Sequence, residues 1–229
     1  MSNKPTPLII AFIGAAGAGK DSAATALVNH QAFISIALAD SLRREVVAAW
    51  QINEGMLTHR ATKEWPIDAL KVGMCGDMEF VSWCVERGHS LHEPRSARWV
   101  MQTWGDYKRR HQPDYYAAVA ARWIMRNWGV GFRRFAVTDM RFPIEAQALH
   151  QIGALYAVEV VSHTHAHGAE LQGDTCLHHN NHMQPLRETL GRLNVPVHTI
   201  TNDGTLEGLA DQVLALPCVP AGAERSEEC

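Results

Sequence analysis

The chain has 229 residues, roughly 1.5 times the usual domain length, which favours one large domain able to bury a real core. Lys plus Arg number 21 and Asp plus Glu 24, a formal charge of −3, so no chain-wide field draws the protein to nucleic acid or an anionic membrane. Hydrophobic residues at 46% and charged ones at 20% exclude the disordered and collagen-like classes. Cys75, Cys84, Cys176, Cys218 and Cys229 are widely spread with no CxxC pair, which excludes a disulfide framework and a zinc ribbon and leads us to expect reduced thiols. The charge is uneven: Lys108, Arg109 and Arg110 are consecutive, whereas no Lys or Arg lies between Arg141 and Arg187.

In chain order, Leu8 to Ile13 is a continuous apolar run of the kind that forms a strand buried on both faces of a parallel sheet. It falls far short of the ~20 residues of a membrane helix, and the glycines and lysine after it do not read as a signal peptide; no membrane partner and a cytoplasmic location are expected. A glycine-rich turn opens an Ala-rich helix from about Lys20 to His30, Phe33 to Ala37 reads as a strand, and Asp40 is placed to cap a helix running to Trp50. Gln51 to Pro94 shows no clear strand and reads as a helical or irregular insertion. Helical patterns follow at Ser96 to Tyr107 and Asp114 to Trp128, then a strand at Arg134 to Thr138, a helix at Glu145 to Gln151 and a strand at Leu155 to Val161. After a long polar segment come a strand at Val197 to Thr201 and a helix at Leu206 to Leu216. Strands separated by helices give an α/β class with a central, mainly parallel sheet. The tail 217–229, with Pro217, Pro220 and a polar Glu-Arg-Ser-Glu-Glu cluster, is expected to be disordered, which leaves 1–216 as a single domain.

The strongest motif is Gly14-Ala15-Ala16-Gly17-Ala18-Gly19-Lys20, a GxxxxGK pattern between an expected buried strand and an expected helix. Glycines let backbone N–H groups wrap a phosphate, the helix N-terminus adds its positive dipole end, and Lys20 supplies a mobile charge for the β- and γ-phosphates. The residue after the lysine is Asp21, followed by Ser22, where the pattern ordinarily has a Mg²⁺-ligating Ser or Thr. The metal is then held through Asp21, through Ser22, or by water and the triphosphate; the sequence leaves these open. Val137-Thr138-Asp139-Met140-Arg141 ends an expected strand, where ligands bind in parallel sheets. Asp139 is a candidate to orient Mg²⁺ or its water, or else a helix cap; Arg141 is a candidate clamp on a transferring phosphoryl group, or else a solvated arginine.

These residues resemble the phage-type deoxynucleoside monophosphate kinases, a P-loop nucleotide kinase family typified by the enzyme of T-even bacteriophage. The matching blocks, in order, run from Phe12-Ile13-Gly14 to Gly19-Lys20-Asp21-Ser22, through Leu38-Ala39-Asp40-Ser41-Leu42-Arg43 and Ala97-Arg98-Trp99-Val100-Met101-Gln102-Thr103-Trp104-Gly105, to Asp114-Tyr115-Tyr116. They continue with Thr138-Asp139-Met140-Arg141-Phe142-Pro143-Ile144-Glu145-Ala146 and Ile200-Thr201-Asn202-Asp203-Gly204-Thr205-Leu206-Glu207-Gly208-Leu209. The resemblance implies a three-layer P-loop kinase fold with a lid and transfer of the ATP γ-phosphoryl to a deoxynucleoside 5′-monophosphate with Mg²⁺. It also implies a phage or prophage origin in a bacterial cytoplasm. Two polyanions must meet, so Lys20 needs cationic help; Arg43, Arg98, Arg110 and Arg141 are the candidates for the acceptor phosphate and the transferring group, with surface arginines as the plainer alternative. Asp40 is a candidate contact to the acceptor sugar or base, or a cap. Tyr116 is a candidate base stacker, or core.

Asn202 and Gly204, in the turn after the last expected strand, are candidates for holding adenine through the backbone, or an ordinary Asn-Asp-Gly turn. The lid-like segment 162–185 has no arginine, and carries instead His163, His165, His167, His178, His179 and His182; a transition-metal site or a partly protonated lid both fit such a set. Of Trp50, Trp65, Trp83, Trp99, Trp104, Trp123 and Trp128, most lie in expected helices, where they are expected to pack in a core or a dimer contact, with base stacking as the alternative. Met78, Phe80, Val81 and Trp83 in the insertion are where a homodimer contact is expected. The expected partners are small-molecule nucleotides, without stable nucleic-acid binding. Two alternatives remain: a kinase acting on hydroxymethylated pyrimidine in phage DNA, and a nucleotide-binding protein without transfer activity.

Overall fold

A computed structural model describes residues 6–59, 63–163 and 175–220, with 175–182 described by backbone alone. The first strand, β1 (Leu8–Ile13), fixes the architecture. Its residues alternate between two cores: Ile9, Ala11 and Ile13 enter one cluster while Ile10 and Phe12 enter another, the period-two pattern of a strand covered on both faces. Parallel strands β2 (Ile34–Ile36), β5 (Arg134–Val137), β6 (Ala154–Val161) and β7 (Val197–Thr201) complete the sheet in the order β2-β5-β1-β6-β7. The register pairs Ile9 with Phe135 on one side and with Leu155 on the other.

Helices cover each face. On one lie α6 (Tyr115–Gly129), α7 (Pro143–Ile152) and α8 (Thr175–Arg192), which deliver Ala120, Ile124, Leu149, Met183, Leu186 and Leu190 to the core beneath them. On the other lie α1 (Lys20–Gln31) and α9 (Leu206–Leu214), which bring Ala23, Leu27, Leu209 and Val213. This is the three-layer α/β arrangement expected, with boundaries within a few residues. Two stretches correct the expectation. Helix α8 runs from Thr175 through Pro185 to Arg192, where the sequence reads as a polar segment; Met183, Leu186 and Leu190 at helical spacing supply the anchoring that its Asn, His and Pro residues conceal. Residues 217–220, read as tail, are ordered, with Cys218 and Val219 buried in the second core; 221–229 lie outside the described residues.

The chain divides into two compact units, Met1–Leu38 with Ala117–Cys229, which holds the sheet, and Ala39–Tyr116. The second unit extends beyond the expected 51–94 insertion at both ends. It comprises most of α2 (Leu38–Trp50), α3 (Gly55–Thr58), α4 (Met78–Glu86), α5 (Ala97–Arg109) and a small antiparallel pairing of β3 (Pro66–Ile67) with β4 (Arg95–Ser96). Its core is aromatic: the Phe80 ring meets Trp50 at 5.4 Å, Trp104 at 5.0 Å, Tyr107 at 5.3 Å and Trp83 at 6.0 Å between centroids. Asp77 caps α4, its Oδ1 accepting from Phe80 N at 3.0 Å. Phe80, Val81 and Trp83, expected at a dimer contact, are thus core residues, and of that set Met78 alone is exposed. Trp50, Trp83 and Trp104 are buried as expected; Trp65, 64% exposed, is not. Burial pushes the free thiols of Cys75 and Cys84 up to about 11. Among the described residues, no helix is long and apolar enough to cross a membrane.

Candidate functional site

The loop between β1 and α1 is built as its glycines dictate. Gly14 has φ of +128°, and a Cβ there would lie 2.4 Å from the Val160 carbonyl oxygen of β6. Gly19 has φ of +99° and its Cβ position is filled by the Asn202 side-chain amide, so both turns demand glycine. Lys20 opens α1 almost fully buried. Its ammonium donates to the carbonyls of Gly14 at 2.9 Å and Ala15 at 2.7 Å, two oxygens of the loop itself. Burial lowers its pKa from the ordinary value to about 8, with the Arg141 charge adding to the fall and Asp21 and Asp139 opposing it. Lys20, Asp21, Asp139 and Arg141 therefore form one electrostatic group at the carboxyl ends of β1 and β5. Asp21 and Ser22 are exposed on the first turn of α1. They are the hard oxygen donors that suit Mg²⁺.

The loop after β5 is tied down residue by residue. Thr138 N donates to Ile36 O at 3.0 Å, and Asp139 Oδ1 accepts from Leu38 N, the first residue of α2, at 2.5 Å. The capping role left open for Asp139 is thus filled by one of its oxygens, while its charge acts on Lys20 from a distance. Arg141 is exposed, while its backbone N–H donates to Glu145 Oε2 at 2.7 Å, and Phe142 N donates to the same oxygen at 2.9 Å. Glu145 itself is buried, and burial pushes its carboxyl up to about 7 against the pull of those two N–H groups. Sequence reading gave Glu145 no role, although its place two residues after Pro143 at the start of α7 is a helix-capping signature.

Asn202 and Gly204 follow β7. The Asn202 side chain donates to the Ala18 carbonyl at 2.9 Å, which makes it a brace on the glycine-rich loop; nothing in the sequence pairs two positions so far apart. Gly204 is exposed, with open space where a Cβ would stand. Neighbouring Asp203 takes both the backbone N–H of His163 at 2.7 Å and its ring Nδ1 at 2.5 Å. Of the histidine-rich segment, His165 and His167 lie outside the described residues, as do the side chains of His178, His179 and His182. Among the described residues no group of three or more His, Cys, Asp or Glu is placed to hold a metal ion.

Apart from Arg141, the acceptor candidates belong to the helical unit. Asp40 lies inside the first turn of α2, which starts at Leu38, so it is not the N-cap residue; its Oδ1 accepts from Arg43 at 2.8 Å, and Glu54 lies 3.6 Å from the same guanidinium nitrogen. Arg98 pairs with Glu64. Arg110 stacks its guanidinium over Tyr107 at 4.5 Å and lines an open groove of about 540 Å³ with Trp83, Arg87, His89 and Trp99. On the helical wheel of α5 this is a different face from that of Arg98, so the structure does not bring those two together. Tyr116 is 5% exposed and its hydroxyl donates to Glu45 at 3.2 Å, an acceptor shared with Tyr115 at 3.0 Å and the Trp104 indole at 2.9 Å. Burial and then the Glu45 charge push its phenol far up. The ring is core, as the plainer alternative had it, and Glu45 is a residue that sequence reading missed.

No family profile and no curated protein matches the chain. Among solved structures it is similar to a sugar kinase from Janibacter sp., with 12% identity, a TM-score of 0.46, and coverage of 94% of this chain and 96% of that one. It is similar also to a dephospho-CoA kinase from Campylobacter jejuni, with 10% identity, a TM-score of 0.45, and coverage of 91% and 94%. Likenesses this distant do not speak to chemistry, which rests on the residues above.

Proposed function

We propose that the protein is a phosphotransferase that moves the γ-phosphoryl of ATP onto a deoxynucleoside 5′-monophosphate, giving the diphosphate. The observation that carries this reading is the Gly14–Lys20 loop set between a buried strand and a helix N-terminus, with Lys20 in one electrostatic group with Arg141, Asp139 and Asp21. The acceptor class is supported by the ordered blocks that resemble the phage-type kinases.

In this reading the loop N–H groups and the start of α1 hold the triphosphate. Lys20 leaves the Gly14 and Ala15 carbonyls for the β- and γ-oxygens, and Arg141 meets the charge that develops on the transferring group. Asp21 and Ser22 would hold Mg²⁺, which when bound neutralises phosphate charge. For the acceptor phosphate the resemblance to the phage-type kinases supplies Arg43 and Arg98, which in the free chain pair with Asp40 and Glu64. The Asn202 turn contacts adenine through its backbone, since its side chain is engaged on Ala18.

The test offers labelled ATP and Mg²⁺ with each dNMP, with hydroxymethylated duplex DNA, and with no acceptor. Label in a dNDP is the expected result; label in DNA alone, or nowhere, overturns it. Lys20→Ala is expected to lower the transfer rate by about 10³-fold, the scale of losing one preorganised charge on the transition state, and transfer at the parent rate would remove Lys20 from its role.

A further inference from the structure

We infer that Glu145 is a positioning residue of the phosphoryl-transfer site: its buried carboxyl oxygen gathers the backbone N–H groups of Arg141 and Phe142 and so sets where the Arg141 guanidinium stands. The inference rests on the role of Arg141 in the function proposed above.

A helix cap at the start of α7 requires a bond to Phe142 N alone, because Phe142 is the residue that precedes the helix. Glu145 reaches one residue further, to Arg141 N, with the same Oε2. That second bond fixes the conformation of the loop rather than the helix. Around it, Phe142 O accepts from Glu145 N at 3.0 Å and Ala146 N at 3.3 Å, Thr138 N is held by β2, Asp139 is bonded to the start of α2, and the Met140 side chain is 1% exposed. Arg141 is thus the exposed side chain of a loop whose flanking residues are each anchored, and a preorganised cation is worth most where charge develops during reaction. What the two N–H groups need is an acceptor oxygen at this place, which Oε2 supplies. A glutamine carbonyl supplies the same acceptor without a buried charge, whereas a methionine of similar length supplies none.

The experiment compares Glu145→Gln, Glu145→Met, Arg141→Ala and the Met/Ala double variant for kcat and KM with ATP and the best dNMP. Expected are a Gln variant within about threefold of the parent and a Met variant that loses about 100-fold in kcat with KM for ATP little changed. The double variant should fall no lower than Arg141→Ala alone, the non-additivity of groups that act as a unit. A Gln variant as impaired as the Met variant, a Met variant at the parent rate, or additive losses overturn the inference. Amide hydrogen exchange in the parent keeps it open to refutation if the Met variant does not fold: Arg141 and Phe142 amides are expected to be protected together, and exchange at open-loop rates overturns it. Should the parent phosphorylate no dNMP, the proposed function fails separately. Glu145 is then read from the Arg141 guanidinium ¹⁵N signal on adding Mg·ATP, expected to shift in the parent and the Gln variant; absence of a shift in both overturns the inference.

Discussion

Lys20 titrates near 8 in the free chain because it is buried beside Arg141, so it is part neutral in mildly alkaline solution. A triphosphate beside it favours the charged form and lifts that value. Binding ATP above pH 8 must then draw a proton from solvent, and affinity falls as pH rises, by up to about tenfold per unit until the raised value is reached. Calorimetry at pH 8.5 in two buffers of different ionisation enthalpy is expected to give a net proton uptake, lost in Lys20→Met; no uptake in the parent would show that Lys20 does not meet the phosphates. The place of Lys20, at the start of α1 and turned back onto its own loop, was legible because the GxxxxGK spacing marks a strand-to-helix turn of this kind. The roles of Asp139 and Tyr116 were not, since an Asp after a strand and a Tyr on a helix each admit two uses. The choice between them lies in partners distant along the chain, Leu38 N for Asp139 and Glu45 for Tyr116.

The glycine-rich loop is an element completed by another element. Asn202, at the end of β7, bonds Ala18 and fills the space beside Gly19. Asn202→Ala removes one part-buried hydrogen bond, about 1 kcal/mol of stability, and frees the loop to sample conformations that do not fit a phosphate. KM for ATP is expected to rise about tenfold with kcat little changed. Thr205→Ala serves as the control: Thr205 caps α9 through Gly208 N at 3.1 Å, so its loss costs about 1 kcal/mol without moving KM. Equal KM changes in the two variants would show that the brace has no role beyond stability. Strand and helix periodicity made β1, β5, β6 and β7 readable. Helix α8 was not, because polar residues outnumber apolar ones along it, and among its described side chains Met183, Leu186 and Leu190 at helical spacing hold it to the core.

At the scale of the molecule, the sheet unit is built from two separated stretches of chain and the helical unit from one. Each has its own core, so damage to one should stay local. Phe80→Ala removes the ring on which Trp50, Trp83, Trp104 and Tyr107 converge, at about 3 to 5 kcal/mol. Hydrogen exchange is expected to show α4 and α5 losing protection while β1 keeps its own; equal loss in both would show a single cooperative core. The sheet class followed from alternating strand and helix patterns, whereas the extent of the helical unit did not, because its aromatic residues carry no period that marks where a unit begins. The brace between Asn202 and Ala18 also bears on how the protein is made. A ribosome releases the glycine-rich loop first and its partner 184 residues later. The central strand β1 likewise waits for β5 and β6, so the N-terminal segment stays an unpaired apolar stretch through most of synthesis. The loop on which the proposed chemistry rests is thus among the last parts of the molecule to acquire its shape, and under that proposal nascent chains that end before β7 should be unable to retain nucleotide.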